Sequence, residues 1–294
     1  MAMNDSKAKC YFITGTGRCG TKLFAKLFSL SKNSVCEHEK LFRHISMVKF
    51  YRDNDCGSYL DDINSHVVPK VESYIQRDKS YGISSGHLYF SIYYLYRVFG
   101  RSARFILLVR RPEEFVRSAL ARGFFDPDHP NSCIQIFPNP ADDMFDKWDV
   151  TSPFEKCLWY WRLVNQFVLY ELRRMPKDIY KIVRIEDVNV GLVKQLCEFL
   201  ELSDIRTEAI EATLAQRVNA SPCLGDERDV NQMSLPITFE PIEKWNDFQL
   251  SLLEKYTGEL REQLYGLDFP LKRFVRWKGC GEKVNVDSAV KIPR

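Results

Sequence analysis

Residues Thr14-Gly15-Thr16-Gly17-Arg18-Cys19-Gly20-Thr21-Lys22 follow the apolar run Cys10-Tyr11-Phe12-Ile13 and precede Leu23-Phe24-Ala25-Lys26-Leu27-Phe28, whose spacing is helical. A strand that turns through three glycines into a helix leaves backbone N–H groups unpaired and aims the positive end of the helix dipole at one point. That point suits an anion, above all a phosphate. The amides of residues 19 to 22 should cradle it, and Arg18, Thr21 and Lys22 add side-chain donors. Strand, basic turn and helix recur further on. Phe105-Ile106-Leu107-Leu108-Val109 reads as a strand buried on both faces, and Pro112 suits the first turn of a helix with Glu113 and Glu114 near its positive end. Arg110 at the strand end and Ser118, eight residues later, can jointly hold a second phosphate, the guanidinium bidentately and the hydroxyl by one bond.

The first loop has two other readings. Gly15-x-Gly17-x-x-Gly20 satisfies the dinucleotide fingerprint, with Glu37 or Glu39 as the acid about 20 residues on, and this reading stays open on the loop alone. Gly15-x4-Gly20 also begins like a Walker A loop, but Thr21 stands between Gly20 and Lys22, which puts the metal-binding hydroxyl out of place. A phosphoryl-transferring P-loop protein is therefore disfavoured, as is a non-catalytic nucleotide binder, because Arg18 and candidate bases are present.

Taken together, these segments resemble the sulfotransferases that use 3'-phosphoadenosine-5'-phosphosulfate (PAPS). Gly17-Arg18-Cys19-Gly20-Thr21-Lys22 is similar to that family's 5'-phosphosulfate loop, with Cys for Ser and Lys for the last Thr; Arg110 and Ser118 match its 3'-phosphate element. Trp159, Trp161 and Asn165 on a helix, then a strand ending in Glu186-Asp187, also fit, and the resemblance runs from about residue 9 to 200. Ile185 stands where the cytosolic branch often has a Tyr, and Arg276-Trp277-Lys278-Gly279-Cys280-Gly281 is only a partial counterpart of its C-terminal basic segment.

The resemblance implies an α/β fold of the P-loop nucleotide-kinase type, a parallel sheet flanked by helices. PAPS would be the co-substrate and 3'-phosphoadenosine-5'-phosphate (PAP) the product, with no metal. Cofactor-binding residues would be Gly17, Arg18, Cys19, Gly20, Thr21, Lys22, Arg110 and Ser118, with Arg18 directed at the sulfuryl oxygens. Two bases are candidates for the acceptor proton. Glu39 follows the second strand, where the bacterial and protein-tyrosine branches place a glutamate; His87 lies 23 residues before Arg110, close to the spacing of the cytosolic branch's histidine. Glu39 ranks first, and Glu37 and His38 are minor candidates. A hydroxyl or amine on a small molecule, glycan or peptide is the expected acceptor, and its identity is open.

With 42 basic and 39 acidic side chains among 294 residues, the formal charge is only +3, so nothing global points to nucleic acid. Residues 1 to 7 lack the apolar stretch of a leader, and the tract from Tyr89 to Phe99 is interrupted by Ser91 and Arg97, so no membrane anchor is expected. Nine cysteines without a Cys-x-x-Cys pair point to free thiols and a cytoplasmic setting. Cys19, at a helix N-terminus, is the one whose thiol pKa such a position would lower.

The α/β alternation predicts strands at 9–14, 34–37, 80–84, 104–110 and 180–185. Helices are expected at 21–31, 40–52, 88–99, 112–121, 153–175, 190–201, 205–217 and 247–264. A single domain over 1–294 follows, its core about 9–270, with 279–294 as a flexible tail. The proline-punctuated stretch 123–150 is too long for a simple connection and reads as a lid or acceptor loop, while 219–245, with Arg228, Asn231, Gln232 and Trp245, suits an acceptor rim.

Overall fold

The apolar runs become the strands of one parallel sheet, because residues buried on both faces need helices above and below. The computed structural model describes residues 8–39, 50–53, 55–128, 136–202, 204–216 and 239–266. The strands are β1 (Cys10–Thr14), β2 (Ser34–His38), β3 (Ser80–Ser84), β4 (Ala103–Val109) and β5 (Tyr180–Arg184), in the spatial order β2-β3-β1-β4-β5 with every pairing parallel. Each lies within about one residue of its expected position, which makes this an α/β fold of the expected class.

Side chains alternate between two cores. Cys10, Phe12, Phe105, Leu107 and Val109 enter one, Tyr11, Ile13, Ile106 and Leu108 the other. The smaller core is capped by α1 (Thr21–Phe28), α7 (Val190–Phe199) and α8 (Thr207–Leu214), through Phe24, Leu27, Phe28, Val193, Leu196 and Ile210. The larger is covered by α2 (Cys56–Asp62), α3 (Val68–Ile75), α4 (Ile92–Phe99), α5 (Pro112–Leu120), α6 (Pro153–Arg173) and α9 (Asp247–Tyr265). Pro112 opens α5 with Glu113 and Glu114 in its first turn, as expected. Ser152 caps α6 by accepting from the Glu155 amide, and Asn246 and Gln249 form a capping box on α9.

Two differences from the sequence reading have physical causes. Residues 56–75 are helical throughout, with a π turn over Ile63–Val67 between α2 and α3. Gly57 and Pro69 weaken the helical signal there, and the wider turn gives room to the Pro69 ring, which in a regular α-helix would clash with the carbonyl four residues back. Further on, α4 begins only at Ile92, because Leu88 to Ser91 form a turn closed by the Ser91 amide and hydroxyl on Leu88 O.

The helix expected at 40–52 lies mostly outside the described residues, although Phe50 and Tyr51 are buried in the larger core. The described ends of the 123–150 segment are built into that core through Phe124, Phe125, Ile136, Met144 and Trp148. Residues 217–238 and 267–294, which include Arg228, Asn231, Gln232, Arg276 and Lys278, lie outside the described residues. Trp245 is buried, its Nε1 donating to Glu240 O at 2.8 Å.

Cys10, Cys19, Cys36, Cys157 and Cys197 are free and buried, but Cys56 is disulfide-bonded, which corrects the expectation of free thiols there. Spacing along the chain carries no information on which sulfurs approach within bonding distance. Among the described residues, no helix is long and apolar enough to cross a membrane, and no cluster of three or more His, Cys, Asp or Glu could hold a metal ion.

Candidate active site

Strand order decides between the readings of the first loop. A dinucleotide fold places the second strand beside the first, with its acid one strand away from the glycine loop. Here β3 stands between β1 and β2, so the tip of β2 is two strands, about 10 Å, from β1. The dinucleotide reading therefore falls. The β1 tip, with β3 and β4 as neighbours, is the point where the connections diverge, and an α/β sheet binds its ligands outside such a point.

The loop from Gly15 to Gly20 is wound by residues in the left-handed region: Gly17 at φ 71°, Arg18 at φ 53° and Gly20 at φ 94°. Gly20 is the N-cap of α1 and supplies no side chain, so no side-chain bond caps that end. The first α1 amides consequently face the mouth of the loop with the dipole behind them. Arg18 is the one non-glycine among the three, held in a conformation that costs an ordinary side chain about 1 kcal/mol or more.

Its side chain crosses to the second basic element. Arg18 Nε donates to Ser118 Oγ on α5 at 3.0 Å, while Arg110 Nη1 donates to Arg18 O at 2.9 Å. The two segments read from the sequence as separate phosphate sites are therefore joined through one residue. Arg110 Nη2 pairs with Glu114 Oε2 at 3.4 Å, and Trp161 Nε1 donates to the Arg110 carbonyl at 2.8 Å. Burial, then repulsion from Arg122 and from Arg110, pushes Arg18 down to about 10, against smaller opposing effects of Cys19 and Glu39. Arg18 keeps its charge at neutral pH, and an anion beside it would offset the crowding of three guanidiniums. Arg122 and Trp161 were not expected at the site.

Other predicted residues divide clearly. Thr21 is buried, its Oγ1 3.1 Å from His38 Nε2 and its carbonyl accepting from Ser84 Oγ at 2.7 Å, while Lys22 is exposed at the mouth. Cys19 is fully buried, and the expected lowering of its thiol pKa is not found. Burial pushes it up to about 12, more than backbone hydrogen bonds, Arg110 and Thr16 pull it down. The thiol is loop packing.

Of the base candidates, Glu39 lies at the mouth. It follows β2 at φ 55°, its amide donating to Ser84 O at 3.3 Å and its side chain 40% exposed. A methyl group on Gly86 would lie 2.9 Å from Gly17 Cα and 3.8 Å from Glu39 Oε1, so the ends of β1, β2 and β3 bring this carboxylate close to the loop. His87 is next to Gly86 in sequence but only 7% exposed. Its amide is held by Ser85 Oγ and its carbonyl by Tyr59 OH. Glu37 is engaged elsewhere, accepting from Tyr81 OH at 2.9 Å with Lys70 at 3.9 Å. Glu186 accepts from the Arg111 amide and from Tyr265 OH, and Asp187 pairs with Arg184, so this pair ties the turn after β5.

No protein-family model matches the chain, and no curated protein matches it in sequence. Among solved structures it is similar to a sulfotransferase from Alicyclobacillus acidocaldarius, at 18% identity over 69% of this chain and 83% of that one, with a TM-score of 0.44. It is also similar to the sulfotransferase domain of the Synechococcus PCC 7002 olefin synthase, at 16% identity over 87% and 98% of the two chains and a TM-score of 0.44. A mouse sulfotransferase complexed with PAP covers 86% of each chain at 14% identity, with a TM-score of 0.47.

Proposed function

We propose that the protein is a sulfotransferase that moves the sulfuryl group of PAPS to a hydroxyl or amine of an acceptor. The observation that carries this reading is the joining of two anion-accepting elements through Arg18, whose backbone belongs to the amide-rich loop and whose side chain reaches Ser118 beside Arg110. A nucleotide with phosphates on both the 3' and the 5' oxygen of its ribose fits that arrangement. In this reading the loop from Gly17 to Lys22, Cys19 and Gly20 included, takes the 5'-phosphosulfate, and Arg110 and Ser118 take the 3'-phosphate.

The chemistry is an in-line displacement. Glu39 accepts the acceptor's O–H or N–H proton as that atom bonds to sulfur, and the bond from sulfur to the bridging phosphate oxygen breaks, its electron pair leaving with PAP. The α1 amides stabilise the charge that develops on the sulfuryl oxygens and the bridging oxygen, which is where most of the acceleration must arise, and Arg18 joins them once a bound 3'-phosphate takes the Ser118 hydroxyl on which Arg18 Nε rests in the free protein. His87 is the second candidate base, and its burial makes it the weaker one. The scheme routes no step through a metal. We further read the chain as a single domain whose acceptor, a small molecule, glycan or peptide, enters past the segment 123–150, and we keep a cytoplasmic setting on the free thiols Cys10, Cys19, Cys36, Cys157 and Cys197, against the disulfide at Cys56.

Calorimetry with PAP, adenosine 5'-monophosphate, ATP and NAD tests the ligand assignment. PAP should bind most tightly. Equal or tighter binding of NAD would sink the reading.

A further inference from the structure

One ring nitrogen at the mouth of the loop touches two residues to which the proposed function gives different tasks. His38 Nε2 lies 3.1 Å from Thr21 Oγ1 and 3.6 Å from Glu39 Oε1. Thr21 is the first residue of α1, beside the amides that face the loop mouth, and Glu39 is the carboxylate that the ends of β2 and β3 bring close to that loop. We propose that His38 is a positioning residue whose Nε2–H donates to Thr21 Oγ1, so that the Thr21 hydroxyl proton is directed at the bound anion. The proposal rests on the reading of this loop as the 5'-phosphosulfate site.

A hydroxyl has one proton and two lone pairs. If Nε2 were bare, Thr21 would spend its proton on the imidazole and turn only lone pairs toward an incoming phosphate oxygen, which repels it. With a proton on Nε2, the hydroxyl accepts from the ring and donates to the anion. Three features favour the second arrangement. The Glu39 carboxylate on the same side of the ring stabilises a proton at Nε2. Ser84 Oγ, from β3, holds the Thr21 carbonyl at 2.7 Å and fixes the start of α1 against the ring. Burial and Lys22 push the imidazole below its ordinary pKa, with Glu39 opposing, so at neutral pH the choice is between neutral tautomers rather than charge states. The ring then acts through Thr21 and Glu39 without itself touching the reacting atoms.

The test is a double-mutant cycle read on two ligands, PAP and inorganic pyrophosphate, by calorimetry. A net hydrogen bond corresponds to about a fivefold change in affinity. Thr21→Val and His38→Leu should each weaken PAP by about fivefold, and the double variant should lose no more than either alone, because both substitutions delete one relay. His38→Gln carries an amide N–H near the place of Nε2–H and should stay within about twofold of the wild type. With ring-15N-labelled histidine, the resonance of His38 in the PAP complex should report a protonated Nε2. Additive losses, failure of glutamine to rescue, or a bare Nε2 in the complex would overturn the proposal. If His38→Leu unfolds, His38→Asn, whose shorter amide falls short of Thr21, takes its place in the cycle. Failure of the wild type to bind PAP would instead refute the sulfotransferase reading, and the same cycle on pyrophosphate would then judge His38. A wild type that binds neither ligand overturns both.

Discussion

Replacing Arg110 by alanine separates the 3'-phosphate from the rest of the ligand. Its guanidinium is held by Arg18 O at 2.9 Å and Glu114 Oε2 at 3.4 Å, yet 27% of the side chain is exposed, so it is aimed but open. A charge-assisted hydrogen bond to phosphate contributes roughly 1.5–3 kcal/mol, and 1.4 kcal/mol is a factor of ten, so PAP affinity should fall roughly 10- to 140-fold. Two side effects are predictable. Arg110 helps to push Arg18 down to about 10, but Arg18 is protonated at pH 7 with or without it, so its loss returns no charge. The Arg18 carbonyl also loses a donor, which disturbs the loop by roughly 0.5–1.5 kcal/mol and is felt by any ligand with a 5'-phosphate. Adenosine 5'-monophosphate is the control, and its affinity should fall by no more than roughly tenfold. Ser118→Ala should give a smaller loss of the same selectivity, partly masked because Arg18 Nε is then released from Ser118 Oγ. Calorimetry on both ligands and both variants reads the ratio. If Arg110→Ala weakens PAP and the monophosphate alike, Arg110 only supports the loop and the 3'-phosphate lies elsewhere.

Arg18→Ala should lower turnover by roughly 100-fold or more, as removal of an oxyanion donor does, with the thermal transition retained; an unchanged rate would remove Arg18 from the mechanism. Glu39→Gln keeps shape and removes proton acceptance, so turnover should collapse while PAP affinity falls by no more than about fivefold through His38, and His87→Asn should reduce turnover less; the reverse pattern in steady-state rates would make His87 the base. Gly86→Ala would place a methyl group 2.9 Å from Gly17 Cα, and overpacking of this kind costs roughly 1–3 kcal/mol, to be read as a lower thermal midpoint together with weaker PAP binding. Unchanged values for both would show that the loop is not packed on Gly86.

β1 and β4 were legible because they are apolar and buried on both faces, a pattern with few competing explanations, while β2, β3 and β5 carry polar residues and were found from the α/β alternation. Helices were legible where caps and periodicity agreed, as for α5 with Pro112, Glu113 and Glu114. They were missed where a π turn absorbs Pro69, since a proline inside an apolar pattern reads as an end rather than a wider turn. Within the site, residues consecutive in sequence were found, and contacts across the sheet were not. Arg18 reaching Ser118, Trp161 Nε1 on the Arg110 carbonyl and Thr21 against His38 all depend on strand order, which spacing along the chain does not encode. The thiol of Cys19 depends on its packing as well as on its place in the chain. A helix N-terminus lowers a thiol pKa only where the sulfur is solvated, and burial in the smaller core wins here.

Sulfuryl transfer itself is measured most directly with PAPS labelled in the sulfuryl group, incubated with protein and a panel of carbohydrate, phenol, lipid, peptide and natural-product acceptors. Label should leave PAPS for at least one acceptor class with release of one PAP per transfer, and Arg18→Ala and Glu39→Gln should each reduce that transfer by roughly 100-fold or more. Label that stays on PAPS with every acceptor, or that moves equally well with both variants, would contradict the account.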